Sequence, residues 1–191
     1  MFKLKNIPNI LTFSRLACCP LWLILFYFDY YYFSLILVIY SSLSDYFDGF
    51  LARKLNSESI IGKTLDPIAD KIFTCTVLLT FVSDARANFI IVAIIIVREI
   101  IISGLREALA IYKQSEILNV TLLSKIKTTF QFIAIFILTL IPLNIEYSAK
   151  IYQVGTIFLY ITTILTIYTG YKYVIKSIIV LNKIKKDKNA Y

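Results

Sequence analysis

Asp45-Tyr46-Phe47-Asp48-Gly49-Phe50-Leu51-Ala52-Arg53 is followed, after eight residues, by Gly62-Lys63-Thr64-Leu65-Asp66-Pro67-Ile68-Ala69-Asp70. Four carboxylates and an arginine thus fall within a window that otherwise reads as membrane span. A charged side chain inside a transmembrane helix costs about 2.5–3.5 kcal/mol on insertion scales, so four together require a compensating charge and a function. Asp45 and Asp48 are three apart and Asp66 and Asp70 four apart, which puts each pair on one helical face about one turn apart. A connection of roughly ten residues, Lys54 to Lys63, folds the two helices antiparallel and turns the acid pairs toward each other. Asp66 fits an N-cap with Pro67 in the first turn, although a proline kink inside a longer helix reads equally from the string. The stretch therefore decides for a helical hairpin carrying buried charge.

Outward from it, the chain of 191 residues is 59% hydrophobic with a mean hydropathy of +0.76 and only 5 Gly and 4 Pro. Apolar periodic stretches fall near 9–29, 33–54, 65–83, 88–110, 126–143 and 149–175. Each is close to the roughly 20 residues that cross a bilayer, and each must satisfy its own backbone, so helices are expected throughout. The expectation is an all-α integral membrane protein: six transmembrane helices in one bundle, a single domain over 1–191 with a basic tail at 180–191.

An even number of crossings leaves both termini on one side, and Lys and Arg choose it. With a cytoplasmic N-terminus, Lys3, Lys5, Arg53, Lys54, Lys63, Lys113, Lys125, Lys127 and the lysines from Lys172 to Lys188 all lie inside, leaving Arg86 and Lys150 near outer loops. The acids then face the cytoplasm. Tyr27-Phe28-Asp29-Tyr30-Tyr31-Tyr32-Phe33 becomes an interfacial aromatic anchor at the outer side, with Pro142 near the outer end of the fifth span. Lys3 and Lys5 before an apolar run imitate a signal peptide, but no small-residue cleavage site follows, so this reads as a retained first span.

The net charge of +8 suits loops facing anionic lipid better than nucleic acid. No histidine is present, which excludes a His nucleophile or base and any phosphohistidine route to group transfer. Cys18, Cys19 and Cys75 have neither C-x-x-C spacing nor a His partner and read as small packing residues.

Four carboxylates converging at low dielectric raise one another's pKa unless cations intervene. Hard divalent ions answer that need, and two bridged by shared carboxylates suit Mg²⁺ or Mn²⁺ better than Zn²⁺. Such ions bind a pyrophosphate, and a carboxylate left free accepts a proton. Gly49 leaves room beside the acids for helix packing or a flat ligand group, and Arg53 offers a planar fork to a phosphate.

The string Asp45-x2-Asp48-Gly49-x2-Ala52-Arg53-x8-Gly62-x3-Asp66-x3-Asp70 resembles the signature of the CDP-alcohol phosphatidyltransferases at every position. The resemblance implies that Asp45, Asp48 and Asp66 are ligands of two metal ions, that Asp70 is general base and partial ligand, and that Gly49 and Ala52 face the cytidine of a CDP-linked lipid. It further implies a six-helix homodimer.

The signature says little of the acceptor alcohol. Asn6-Ile7-Pro8-Asn9-Ile10-Leu11-Thr12-x2-Arg15 is similar to the opening of the phosphatidylglycerophosphate synthase branch, in which the asparagine approaches the diphosphate; a cap at helix one is the other reading of Asn9 and Thr12. Glu99, Ser103 and Arg106 make a polar stripe on the fourth helix, with Arg98 about 12 Å deeper than Arg106 and suited to a buried pair with a carboxylate or a carbonyl. Lys125 and Lys127 point roughly 200° apart, so one inward pocket would use one of them fully. Positive-inside bias alone also accounts for them.

These segments resemble the branch that transfers the phosphatidyl group from CDP-diacylglycerol to sn-glycerol 3-phosphate, with Arg106, Lys125 and Lys127 on the acceptor phosphate. Ser124 departs from the usual glycine there. Cardiolipin synthases using phosphatidylglycerol, and relatives using inositol phosphate or serine, remain alternatives inside the family. A cation-binding transporter is the alternative outside it, and leaves Gly49, Ala52 and Arg53 unexplained.

Overall fold

The computed structural model describes residues 7–55, 60–112 and 121–188; within them the side chains at 7–11, 45–55, 60–67, 70 and 185–188 lie outside the description. Six α-helices occupy these residues: α1 (Ile7–Tyr27), α2 (Tyr31–Leu55), α3 (Ile60–Ser83), α4 (Phe89–Ile111), α5 (Leu122–Thr139) and α6 (Ser148–Lys188). Two 3-10 turns, Ile141–Leu143 and Ile145–Tyr147, join α5 to α6, and no strand occurs among the described residues. The stretches Leu122–Leu143 and Ile145–Ile184 are long and apolar enough to cross a membrane, while Thr12–Tyr27, Tyr31–Ser44 and Lys71–Ser83 are shorter apolar segments.

Periodicity located the six helices; α5 lies four residues earlier than expected, at Leu122–Thr139 against 126–143, and the ends of two others differ further. The third helix starts at Ile60 rather than near 65, so Asp66 and Pro67 are interior and Asp66 is no N-cap. Pro67 has no N–H for the carbonyl four residues back, and α1 carries Pro20 in the same way. The sixth runs to Lys188, past the expected 175. At 1.5 Å per residue its 41 residues span about 60 Å, twice the thickness of a bilayer's hydrocarbon. The lysines of the tail therefore ride on a helix end.

The chain divides into two compact units, Met1–Asn88 with Phe132–Thr156, and Phe89–Gln131 with Ile157–Tyr191. In the first, α1 packs against both α2 and α3, and α2 touches α3 and the first 3-10 turn. Trp22 anchors α1: it is fully buried, its indole N–H donates to Thr80 Oγ1 at 3.0 Å, and its ring meets Phe73 and Phe81 edge-on at 6.2 Å. An indole buried in an apolar site needs such a partner for its N–H, so the bond also fixes the register of α1 against α3.

Both α1 and α3 end in the same way. Tyr30 N–H reaches Leu25 O at 2.8 Å and Asp29 N–H reaches Phe26 O; Arg86 N–H reaches Phe81 O at 2.8 Å and Ala85 N–H reaches Val82 O. These are Schellman closures, and the left-handed residue each needs is Asp29 (φ 59°) and Ala85 (φ 56°) instead of glycine. Arg86, buried, lies over the rings of Phe26, Tyr31 and Phe81 at 5.4–5.9 Å and pairs with Asp84, while the Tyr31 hydroxyl donates to Asp29. Around this closure Tyr27, Phe28, Tyr30, Tyr32 and Phe33 stay exposed, as an interfacial belt requires.

In the second unit Ile102, Leu109 and Tyr173 form a core flanked by Leu105, Val174, Val180 and Leu181. α6 contributes a buried polar face of Thr162, Thr166, Thr169, Tyr173 and Ser177, spaced by three and four. Thr162, Thr169 and Ser177 donate to carbonyls one turn back, so most of these hydroxyls are satisfied within the helix.

Small residues set the closest approach. A Cβ at Gly155 would sit 2.6 Å from Leu138 Cδ2 and 2.9 Å from its Cγ, so α6 rides directly on the end of α5. Gly155→Val should lower stability by about 1–3 kcal/mol through overpacking. The check is a depressed thermal midpoint of the detergent-solubilised protein; an unchanged midpoint would mean that α5 and α6 separate freely there.

Candidate active site

Asp45 and Asp48 lie in the last three turns of α2, and Asp66 and Asp70 in the first three of α3. Their side chains, with those of Asn9, Gly49, Ala52 and Arg53, lie outside the described residues' side-chain detail, so their placement is that of the backbone. Each pair shares a face of its helix by spacing, and the two helices touch. The donor set, four carboxylates in a chain without histidine, fits a hard, oxygen-seeking divalent ion and disfavours zinc.

The neighbouring surface of the same unit is polar where an apolar bundle has no need to be. Thr12 and Arg15 on α1 and Ser41 and Ser44 on α2 are all buried, and Arg15 is wholly so. A guanidinium withdrawn from water demands anionic or carbonyl partners. Sequence reading had Arg15 only as a motif letter. It is buried on the helix that packs against both acid-bearing helices.

The second unit holds the cationic group. Lys127 is 3% exposed and its ammonium sits on Glu99 Oε1; the same oxygen accepts from Arg98 Nη1 at 3.1 Å. The Arg98 and Glu99 side chains are only 11% and 12% exposed. Arg98 Nη2 also donates to Thr169 Oγ1 at 3.0 Å, and a Cβ at Gly170 would lie 3.0 Å from Arg98 Cγ, so α6 is shaped to receive this arginine. The expected buried pair of Arg98 with a carboxylate is thus present. Lys125 points the other way and is exposed, in keeping with a 200° separation, and Arg106 is half-buried.

The start of α5 is built by a residue that spacing did not mark. Thr121 caps the helix, its Oγ1 accepting Ser124 N–H at 3.3 Å, and its own N–H donates to the Tyr173 hydroxyl at 3.2 Å. The Tyr173 ring lies 5.8 Å from the Arg98 guanidinium carbon. One tyrosine of α6 therefore ties down both the arginine of α4 and the helix start that carries Lys125 and Lys127. Nothing in the tyrosine-rich sequence separates Tyr173 from the 13 others, since the signal is a contact 52 residues away.

Against known proteins, residues 5–168 match the family model described as CDP-alcohol phosphatidyltransferase. The chain belongs to that family and is a transferase of phosphatidyl groups. It is 40% identical over 173 residues to the CDP-diacylglycerol--glycerol-3-phosphate 3-phosphatidyltransferase of Wigglesworthia glossinidia brevipalpis, covering 88% of this chain and 92% of that one. Proteins of the same name from Rickettsia bellii (strain RML369-C), at 38% over 88% and 93% of the two chains, and from Blochmanniella floridana, at 37% over 97% and 100%, are similar to the same extent.

Thr121→Ala should cost about 1 kcal/mol by removing the N-cap and the 3.5 Å contact of Thr121 Oγ1 with the Tyr173 hydroxyl, while the backbone bond to Tyr173 stays. Faster amide hydrogen exchange confined to the first turn of α5 checks this; unchanged protection would show that the cap contributes nothing.

Proposed function

We propose that this enzyme transfers the phosphatidyl group of CDP-diacylglycerol to sn-glycerol 3-phosphate, giving phosphatidylglycerophosphate and CMP. What carries the reading is the acid signature at one-turn intervals on two touching helices, in a chain whose relatives bear that activity in their names. The acceptor assignment draws further support from the cations of α4 and α5, because a phosphorylated alcohol brings a dianion that a neutral alcohol does not.

Asp45, Asp48, Asp66 and Asp70 would hold two Mg²⁺ or Mn²⁺ ions, which supply charge neutralisation for the diphosphate and for the departing CMP. The chain's own residues do the rest. Asn9, Gly49, Ala52 and Arg53 bind and orient the CDP-lipid, with its acyl chains left in the bilayer. Arg106, Lys125 and Lys127 hold the acceptor phosphate, with Tyr173 fixing the helix start that bears the two lysines. Asp70 accepts the proton of the acceptor's 1-hydroxyl as that oxygen bonds to the β-phosphorus. The bond from this phosphorus to the bridging oxygen breaks, and CMP carries away the electron pair.

The same reading makes 1–191 one catalytic domain, supported by a single family model running through both compact units. It has six crossings, both termini and the active site face the cytoplasm, and the tail at 180–191 meets anionic lipid. Two copies associate as a homodimer, and nucleic acid is not a partner.

Two tests follow. Purified protein with CDP-diacylglycerol and Mg²⁺ should release CMP with glycerol 3-phosphate and not with serine, inositol phosphate or phosphatidylglycerol, and EDTA should abolish turnover until Mg²⁺ is restored. CMP release with phosphatidylglycerol alone would make it a cardiolipin synthase. Asp70→Asn should lower kcat by about 10²–10⁴ with protein abundance unchanged; full turnover in that variant would take the base role from Asp70.

A further inference from the structure

We propose that Glu99 is a positioning residue for the acceptor: it pins Lys127 beside Arg98 in a buried cluster with surplus positive charge, and so selects an acceptor that carries a phosphate. This deepens the acceptor reading and rests on Lys127 being part of that site.

One carboxylate oxygen, Oε1, accepts from the Lys127 ammonium and from Arg98 Nη1. Among the described residues, two cations and one anion leave a charge of +1 in a place almost without water, since the three side chains are 4%, 11% and 12% exposed. A surplus charge held at low dielectric is stabilised by an anion that arrives and by little else. The lysine is also freed of its usual cost. Unpinned, an ammonium on four rotatable carbons must be ordered when phosphate binds; here Glu99 has ordered it beforehand, using one of its three donors.

The arrangement is held from three helices. Glu99 and Arg98 come from α4, Lys127 from α5, and α6 supplies the Thr169 hydroxyl to Arg98 and a glycine at 170 where a side chain would collide with it. Arg98 is thereby fixed to α6 and cannot follow Lys127. Glu99 lies on the same face of α4 as Ser103 and Arg106, at spacings of four and three, so the cluster continues along the helix toward the other proposed phosphate ligand.

Steady-state kinetics of the full-length protein in mixed micelles with Mg²⁺ test this. Glu99→Gln keeps the shape and removes the charge; loss of the pinned ammonium outweighs the added surplus of positive charge, so it should raise the KM for glycerol 3-phosphate about tenfold while the KM for CDP-diacylglycerol stays within about twofold. Lys127→Met should raise the acceptor KM further. Adding Glu99→Gln to it should change nothing more, because Glu99 acts through Lys127. An unchanged acceptor KM in Glu99→Gln, equal rises in both KM values, or a full tenfold effect persisting in the Lys127→Met background would each overturn the proposal. An acceptor KM untouched by Lys127→Met itself would instead remove the acceptor reading beneath it. Glu99→Asp, which keeps the charge but retracts it by one methylene, serves if the glutamine variant does not accumulate; a several-fold rise in acceptor KM alone supports the proposal and a wild-type value overturns it.

Discussion

A charge withdrawn from water must find its opposite, and in this chain that constraint organises nearly everything that is not simple apolar packing. Arg86 is buried at the end of α3 and is met by Asp84 and three aromatic faces. Arg98 and Lys127 share Glu99. Arg15 is wholly buried on the helix that packs against both acid-bearing helices. Removing one partner from any such set leaves the other charged and buried, which costs more than the pair contributed. The helices are consequently placed by their polar groups as much as by their apolar ones.

The neutral polar groups obey the same rule at lower cost. Thr162, Thr163 and Thr169 on α6 return their hydroxyls to their own backbone, so most of a polar face can be buried without a partner from another helix. Trp22 cannot do this, having a donor and no acceptor within its own turn, and so it reaches Thr80 on α3. That difference explains why Trp22 fixes a register and the threonines leave theirs to be set elsewhere, at Thr169 by Arg98.

How much of this was legible in the sequence depended on the range of the interaction. Helices were legible because their period is local, and the opposed directions of Lys125 and Lys127 followed from the same period. The start of α3 was open for a local reason too: Asp66-Pro67 carries a helix-start signal and also fits a proline inside a longer helix, and the helix begins at Ile60 and absorbs the proline. The acid pairs were visible as spacing, and the family followed from them. Glu99 with Lys127, 28 residues apart, and Thr121 with Tyr173, 52 apart, were not visible, because periodicity says which face a residue occupies and never which helix that face will meet.

The same distinction separates the two halves of the reaction. Donor chemistry requires several carboxylates close in space, and helical spacing can supply that from a single hairpin, so it leaves a compact signature. Holding a phosphate on the acceptor requires few groups, each common in any basic membrane protein, and its specificity lies in how they are held. Positive-inside bias predicts two lysines at the start of α5 whatever the enzyme accepts. It does not predict that one of them will be buried on a glutamate that already neutralises an arginine. A lysine serving only topology gains nothing by leaving water, so the burial of Lys127 on Glu99, and not its presence, is the observation that sets it apart from Lys125.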